Sequence, residues 1–133
     1  TEAQIALARR AVAAPGWRWM PGMRIANTKF ARVVEVCDGE PCGAEEGATG
    51  DDNAAVWLDE WTTPMLPDLS DPLTVLGLLA LVRERWGDSG MYARPRGSKA
   101  RPDWAVCAGV GGAPVAAGES EVEALVLALE VAP

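Results

Sequence analysis

Apolar residues recur at helical spacing in three stretches of this 133-residue chain and at strand spacing in the segments between them. The spacing predicts a first helix over Glu2–Ala14. Ile5, Ala8 and Val12 share one face with Leu7 and Ala11 beside it, while Arg9 and Arg10 turn away. Ala14-Pro15-Gly16 ends that helix. Trp17-Arg18-Trp19-Met20 alternates, Pro21-Gly22 makes a turn, and Met23-Arg24-Ile25 alternates again, the pattern of a short strand or the start of a hairpin. Phe30–Val36 is the next predicted strand, with Arg32 and Glu35 facing water. Asp38–Asn53 has no periodicity, and its glycines and acids predict a long mobile loop. Ala54–Leu58 reads as a short strand carrying Trp57, and Thr62–Ser70 as a Pro-rich connection.

The second helix is the one around which the chain is organised. Asp71 is suited to cap it, Pro72 to occupy its first position, and Gly87 to close it. From Leu73 to Val82 the only polar residue is Thr74, and the cations Arg83 and Arg85 arrive where the helix dipole favours them. A helix apolar all round is covered on more than one side. Its apolar run is also too short to span a membrane. Beyond it, Arg94–Pro102 predicts a basic loop. Trp104–Val110 and Ala113–Ala117 predict a hairpin around Gly111-Gly112. A last helix, Glu121–Val131, is capped by Ser120 or Gly118 and buries Val122, Leu125, Val126 and Leu129. Helix, strands, helix, hairpin and helix in that order define an α+β fold, an antiparallel β-sheet packed between helices, as a single domain over residues 1–133.

Charge changes the picture through its layout. The chain carries a net −7, which argues against general attraction to nucleic-acid phosphates and hence against direct DNA binding. Eight acidic and no basic residues lie between Asp38 and Glu60, whereas four basic and no acidic residues lie between Arg94 and Arg101. There is no histidine, which removes the commonest general base, the Ser-His-Asp and Cys-His mechanisms, and the commonest metal ligand. The three cysteines are an odd number, which argues against a disulfide framework. Zinc would require a carboxylate beside them, an uncommon ligand set. Asp51-Asp52-Asn53 lacks the ligand spacing and closing Glu of a calcium loop. No metal or cofactor is expected, and no enzyme. The sequence has no signal-peptide pattern and no long apolar run, so the expected location is cytoplasmic, without a membrane.

Trp17-Arg18-Trp19-Met20-Pro21-Gly22-Met23, the run Pro67–Pro72, and Trp104-Ala105-Val106-Cys107 with the closing helix look like small proteins of bacteriophages and prophages. The closing hairpin and helix, with the central helix before them, also resemble the phage ABA sandwich domain, an antiparallel sheet between helical layers. The resemblance implies a phage accessory protein, many of which antagonise host defence. It carries no catalytic residues.

Two constellations have binding chemistry. In the basic segment, Arg94, Arg96, Lys99 and Arg101 have the charge and the forked donors that match phosphate, and Tyr92 and Trp104 flank them with rings suited to a base. The bland alternative is a solvated loop that balances an acidic protein. The second constellation is Trp17 and Trp19 with Arg18 and Arg24, either core rings or the lining of a pocket or interface. The expected function is sequestration of a nucleotide-type immune signal. The alternatives are a protein–protein inhibitor of a host defence complex, its acidic segment imitating nucleic acid, or a virion or assembly role. A homodimer is expected, covering the apolar central helix.

Overall fold

The computed structural model describes residues 1–26, 31–46, 55–57 and 65–133, and of residues 31, 44–46 and 55–57 it describes the backbone. The α+β class is as the pattern predicts: the described residues form three helices and six strands, and each of these strands pairs antiparallel. The strands divide between two three-stranded sheets rather than forming one. The described chain falls into two compact units, Thr1–Val12 with Arg18–Gly77, and Ala13–Trp17 with Leu78–Pro133.

In the first unit, α1 (Glu2–Ala13) starts at Thr1, whose hydroxyl accepts the Gln4 amide at 3.2 Å. Its buried positions are Ala8 and Ala11, while Ile5 is 45% exposed. Trp17–Met20 forms no strand, but Pro21-Gly22 turns as expected, and Met23 exchanges backbone hydrogen bonds with its surroundings: its carbonyl accepts from Val33 at 2.8 Å. Single bridges join Arg24 to Arg32 and Ile25 to Pro67. The sheet order is β1 (Ala31–Cys37), β2 (Glu40–Glu46), β3 (Ala55–Trp57). Trp19, Met23, Ile25, Val33 and Leu69 are buried in this unit.

The predicted loop at 38–53 is thus corrected at its start. Asp38 (φ 51°) and Gly39 (φ 81°) make a two-residue turn with both φ values positive, and β2 follows at once. Such a turn matches the twist of paired strands, and Asp-Gly is a favoured pair for it. Residues 47–53 of that prediction, with Phe30, Ala54, Leu58 and Thr62–Pro64 of the others, lie outside the described residues.

Helix α2 (Pro72–Trp86) has the predicted bounds. Asp71 Oδ2 accepts the Thr74 amide at 2.9 Å, the bond expected of a cap. At the other end Gly87 N–H donates to Glu84 and Asp88 N–H to Arg83, the paired bonds that close a helix on a glycine. Thr74 is fully buried, and its hydroxyl donates to Asp71 Oδ2 while accepting the Arg24 amide at 2.8 Å. A buried hydroxyl with both partners carries no desolvation penalty to speak of.

In the second unit β4 (Tyr92–Ser98), β5 (Arg101–Cys107) and β6 (Pro114–Gly118) form the other sheet in that order. Helix α3 (Glu121–Glu130) touches all three strands. Its cap is Ser120, whose side chain accepts the Glu123 amide at 3.1 Å. Leu78, Leu81, Val82, Met91, Ala105, Val106, Cys107, Leu125 and Leu129 are almost wholly buried. Two side chains of α2 stitch this unit: Trp86 Nε1 donates to the Ala128 carbonyl at 2.9 Å, and Arg83 Nε to the Met91 carbonyl at 2.7 Å. Among the described residues, no helix is long and apolar enough to cross a membrane.

Candidate functional site

The basic segment is a hairpin and not a loop. β4 pairs with β5 without a break from Tyr92↔Cys107 to Ser98↔Arg101, leaving Lys99-Ala100 as the turn. Pro95 and Gly97 read as breakers, yet β4 is the edge of its sheet, where a missing N–H is tolerated. Gly97 has φ +88°, and a Cβ there would collide with the Arg101 carbonyl and come within 2.8 Å of Asp103 Oδ1. Only glycine fits that crossing.

Strand geometry sorts the candidate residues. Alternation puts Tyr92, Arg94 and Arg96 on one face of β4, and the register sets Arg101 and Asp103 of β5 on that same face. Residues two apart on a strand stand about 6.5–7 Å apart. Arg94, Arg96, Lys99 and Arg101 are all exposed, and Tyr92 is half-buried. Trp104 pairs with Pro95 and so lies on the opposite face, half-buried. The structure therefore joins three arginines and one ring and separates the second ring from them.

Arg96 differs from its neighbours. Its Nε and Nη2 donate to Asp103 Oδ2 at 3.2 and 2.9 Å, and this bond to a carboxylate raises its pKa. Asp103 Oδ1 is buried without a hydrogen-bond partner among the described residues. Arg96 is thus held by a carboxylate, while Arg94 has Ala105 and Arg101 has Ser98 directly opposite.

Of the second constellation, Trp17 is half-buried in the unit that holds the hairpin, while Arg18, Trp19 and Arg24 belong to the other unit. Trp19 is 2% exposed and is a core ring with no face to offer a ligand. Arg24 lies with Nε 3.9 Å from the Asp68 carboxylate, and Arg18 is exposed. Of the acidic segment expected to imitate nucleic acid, Asp38 and Glu40 are exposed on the β1–β2 hairpin, and the side chains of Glu45, Glu46, Asp51, Asp52, Asp59 and Glu60 lie outside the described residues.

Three features escape a reading of the sequence. Cys37 and Cys42 are joined as a disulfide across the β1–β2 hairpin, with Cα atoms 5.6 Å apart, and Cys107 remains a buried thiol. The odd cysteine count argued against a disulfide framework, but the Asp38-Gly39 turn between these two was a signal for a single bond. Glu35 stands beside them: its carboxylate and the two Sγ atoms all lie within 4.8 Å of one another. Next, Arg32 and Asp71 form a forked ion pair, Nη1 to Oδ2 and Nη2 to Oδ1, both at 3.0 Å. Lastly, a groove of about 510 Å³ opens in the first unit between α1 (Gln4, Ile5, Ala8) and the segment Leu66–Ser70. No local pattern reports the ion pair or the groove, because each joins residues distant in the chain, and the turn signal for the disulfide lay behind loop-like composition.

Comparison with protein-family models, with curated proteins and with solved structures finds no match to this chain.

Proposed function

We propose that the protein is a non-enzymatic binding module whose ligand is a nucleotide-type anion held on the basic face of the β4–β5 hairpin. The observation that carries this reading is the placement of three exposed arginines, Arg94, Arg96 and Arg101, on one face of the hairpin, with Tyr92 in line. Three guanidinium groups spaced by strand geometry suit a chain of phosphates better than a single one. Arg94 and Arg101 take the phosphates by forked hydrogen bonds. Arg96 keeps Asp103 as its partner, and Tyr92 offers a ring to the base. With no histidine in the chain, and with the one described carboxylate on this face tied to Arg96, the site is equipped to hold and not to transform.

The resemblance to phage accessory proteins supplies the setting: a phage product that sequesters a nucleotide-type immune signal in the host cytoplasm. A symmetric dimer is part of the same proposal. Leu73 and Leu76, one helical turn apart on α2, are 51% and 61% exposed, and a second copy would cover them.

Native mass spectrometry of the full chain as purified, beside the double variant Arg94→Glu/Arg101→Glu, tests the reading. A small anion retained by the wild type and missing from the variant supports it. A clean apo mass, together with no uptake of linear or cyclic nucleotides at saturating concentration, overturns it.

A further inference from the structure

We infer that Glu35, Cys37 and Cys42 form a redox-gated site for a thiophilic divalent cation such as Zn²⁺, closed while the cysteines are joined and open once they are reduced. The inference is independent of the anion-binding face. It starts from the strand geometry. Glu35 and Cys37 are two apart on β1 and share a face, and the register shifts on either side of Glu35 so that Cys42 has no residue directly opposite. Such an irregularity re-aims a side chain. Here it leaves Cys42 turned toward Cys37 and Glu35, and the three donor atoms stand within 4.8 Å of one another.

Around one zinc ion, sulfur lies at about 2.3 Å and carboxylate oxygen at about 2.0–2.2 Å, so tetrahedral donors are roughly 3.3–3.8 Å apart. The three donors already lie within 4.8 Å of one another, close to that spacing. The Asp38-Gly39 turn keeps the strands paired whether or not the sulfurs are bonded, because Cys37 also pairs with Glu40 and Val36 with Pro41. Access is open: Glu35 and Cys37 are exposed and Cys42 is half-buried. The set of two thiolates and a carboxylate is one that zinc accepts, with water in the fourth position.

The gate is a balanced exchange. A thiol reductant delivers two electrons and two protons to the Cys37–Cys42 bond, leaving two thiols and its own disulfide. Zinc then displaces both thiol protons to solvent and binds the two sulfurs and the Glu35 oxygen. A compartment that keeps thiols reduced opens the site, and an oxidising one closes it. Cys107 takes no part, being buried in the other unit.

The test loads Zn²⁺ onto the full chain, oxidised and after reduction, and reads bound metal and mass by native mass spectrometry. The reduced wild type is expected to hold one zinc with the loss of two protons, and the oxidised wild type none. Cys107→Ala retains the uptake. Cys37→Ser and Cys42→Ser abolish it, and Glu35→Gln weakens it at least about tenfold. The oxidised and reduced wild types are compared without any substitution, so the outcome does not depend on a variant folding. Equal uptake by both forms, no uptake by the reduced form, uptake that survives loss of either hairpin cysteine, or a zinc affinity unchanged by Glu35→Gln would overturn the site.

Discussion

Arg32 on β1 and Asp71 at the start of α2 face one another across 39 residues of sequence and meet through two parallel hydrogen bonds of 3.0 Å. Asp71 is 7% exposed and does double service, since Oδ2 also accepts the amide and the hydroxyl of Thr74. Arg32 in turn donates to the Gly22 carbonyl at 2.6 Å. One carboxylate thereby fixes the helix start, the first strand and the Pro21-Gly22 turn of the first unit. A buried charge with this many partners is costly to orphan.

Removing the carboxylate should expose both roles. Asp71→Ala loses the cap and leaves Arg32 without its partner, a cost of about 2–4 kcal/mol. Asp71→Asn keeps a good cap and loses only the charge, so about 1–2 kcal/mol is expected. Urea unfolding of the two variants beside the wild type measures the difference. Equal losses would mean that the cap contributes nothing.

The same residue sets an acid limit. The hydrogen bond from Arg32, followed by those of Thr74, holds the Asp71 carboxyl down to about 2 from an ordinary 3.8, against the opposing effect of burial. A carboxyl depressed on folding stabilises the native state above its unfolded pKa, and that stabilisation is lost as pH falls through the folded value. The window is therefore pH 4 down to 2, and the contribution there is about 2 kcal/mol. Stability measured across that range should fall more steeply for the wild type than for Asp71→Asn. Parallel curves would remove the pair from the account.

The hairpin tip depends on Gly97. Gly97→Ala must place a methyl group against the Arg101 carbonyl and hold φ near +88°, so a loss of about 1–3 kcal/mol is expected in thermal or urea unfolding. Unchanged stability would show that the β4–β5 turn has another conformation open to it.

Arg94 and Arg96 should part company although both are exposed on one face. Arg94→Glu reverses a charge that has the apolar Ala105 directly opposite, and should leave the melting temperature unchanged while weakening anion binding. Arg96→Glu sets two carboxylates opposite each other at Asp103, and like charges directly across a ladder destabilise it. A lower melting temperature for Arg96→Glu than for Arg94→Glu is the expected result, and identical melting curves would contradict it.

Local signals in the sequence carried over into the structure, and distant ones did not. The helix from Asp71 to Gly87 was legible because cap, first-position proline and closing glycine act within a single turn. Ser120 at the start of α3 was legible for the same reason. The basic segment was misjudged because Pro95 and Gly97 interrupt a strand anywhere but at a sheet edge, and edge position is not written locally. The Arg-x-Arg alternation was present but was read only as charge. The acid-rich composition around Asp38-Gly39 hid a turn signal and, with it, β2 and the pairing of Cys37 with Cys42. Arg32 was assigned to solvent because nothing near it announces Asp71. Which strands share a sheet was likewise beyond local pattern, and two sheets stand where one was expected.

The measurement that tests the central claim most directly is a thermal-shift screen of linear and cyclic nucleotides against the wild type and Arg94→Glu/Arg101→Glu. A ligand well above its dissociation constant stabilises the native state by a few kcal/mol, which for a protein of this size is a shift of several degrees. One class of nucleotide raising the wild-type melting temperature by that amount, with the double variant unmoved, is the predicted result. A flat screen, or an equal shift in the variant, would contradict binding at the β4–β5 face.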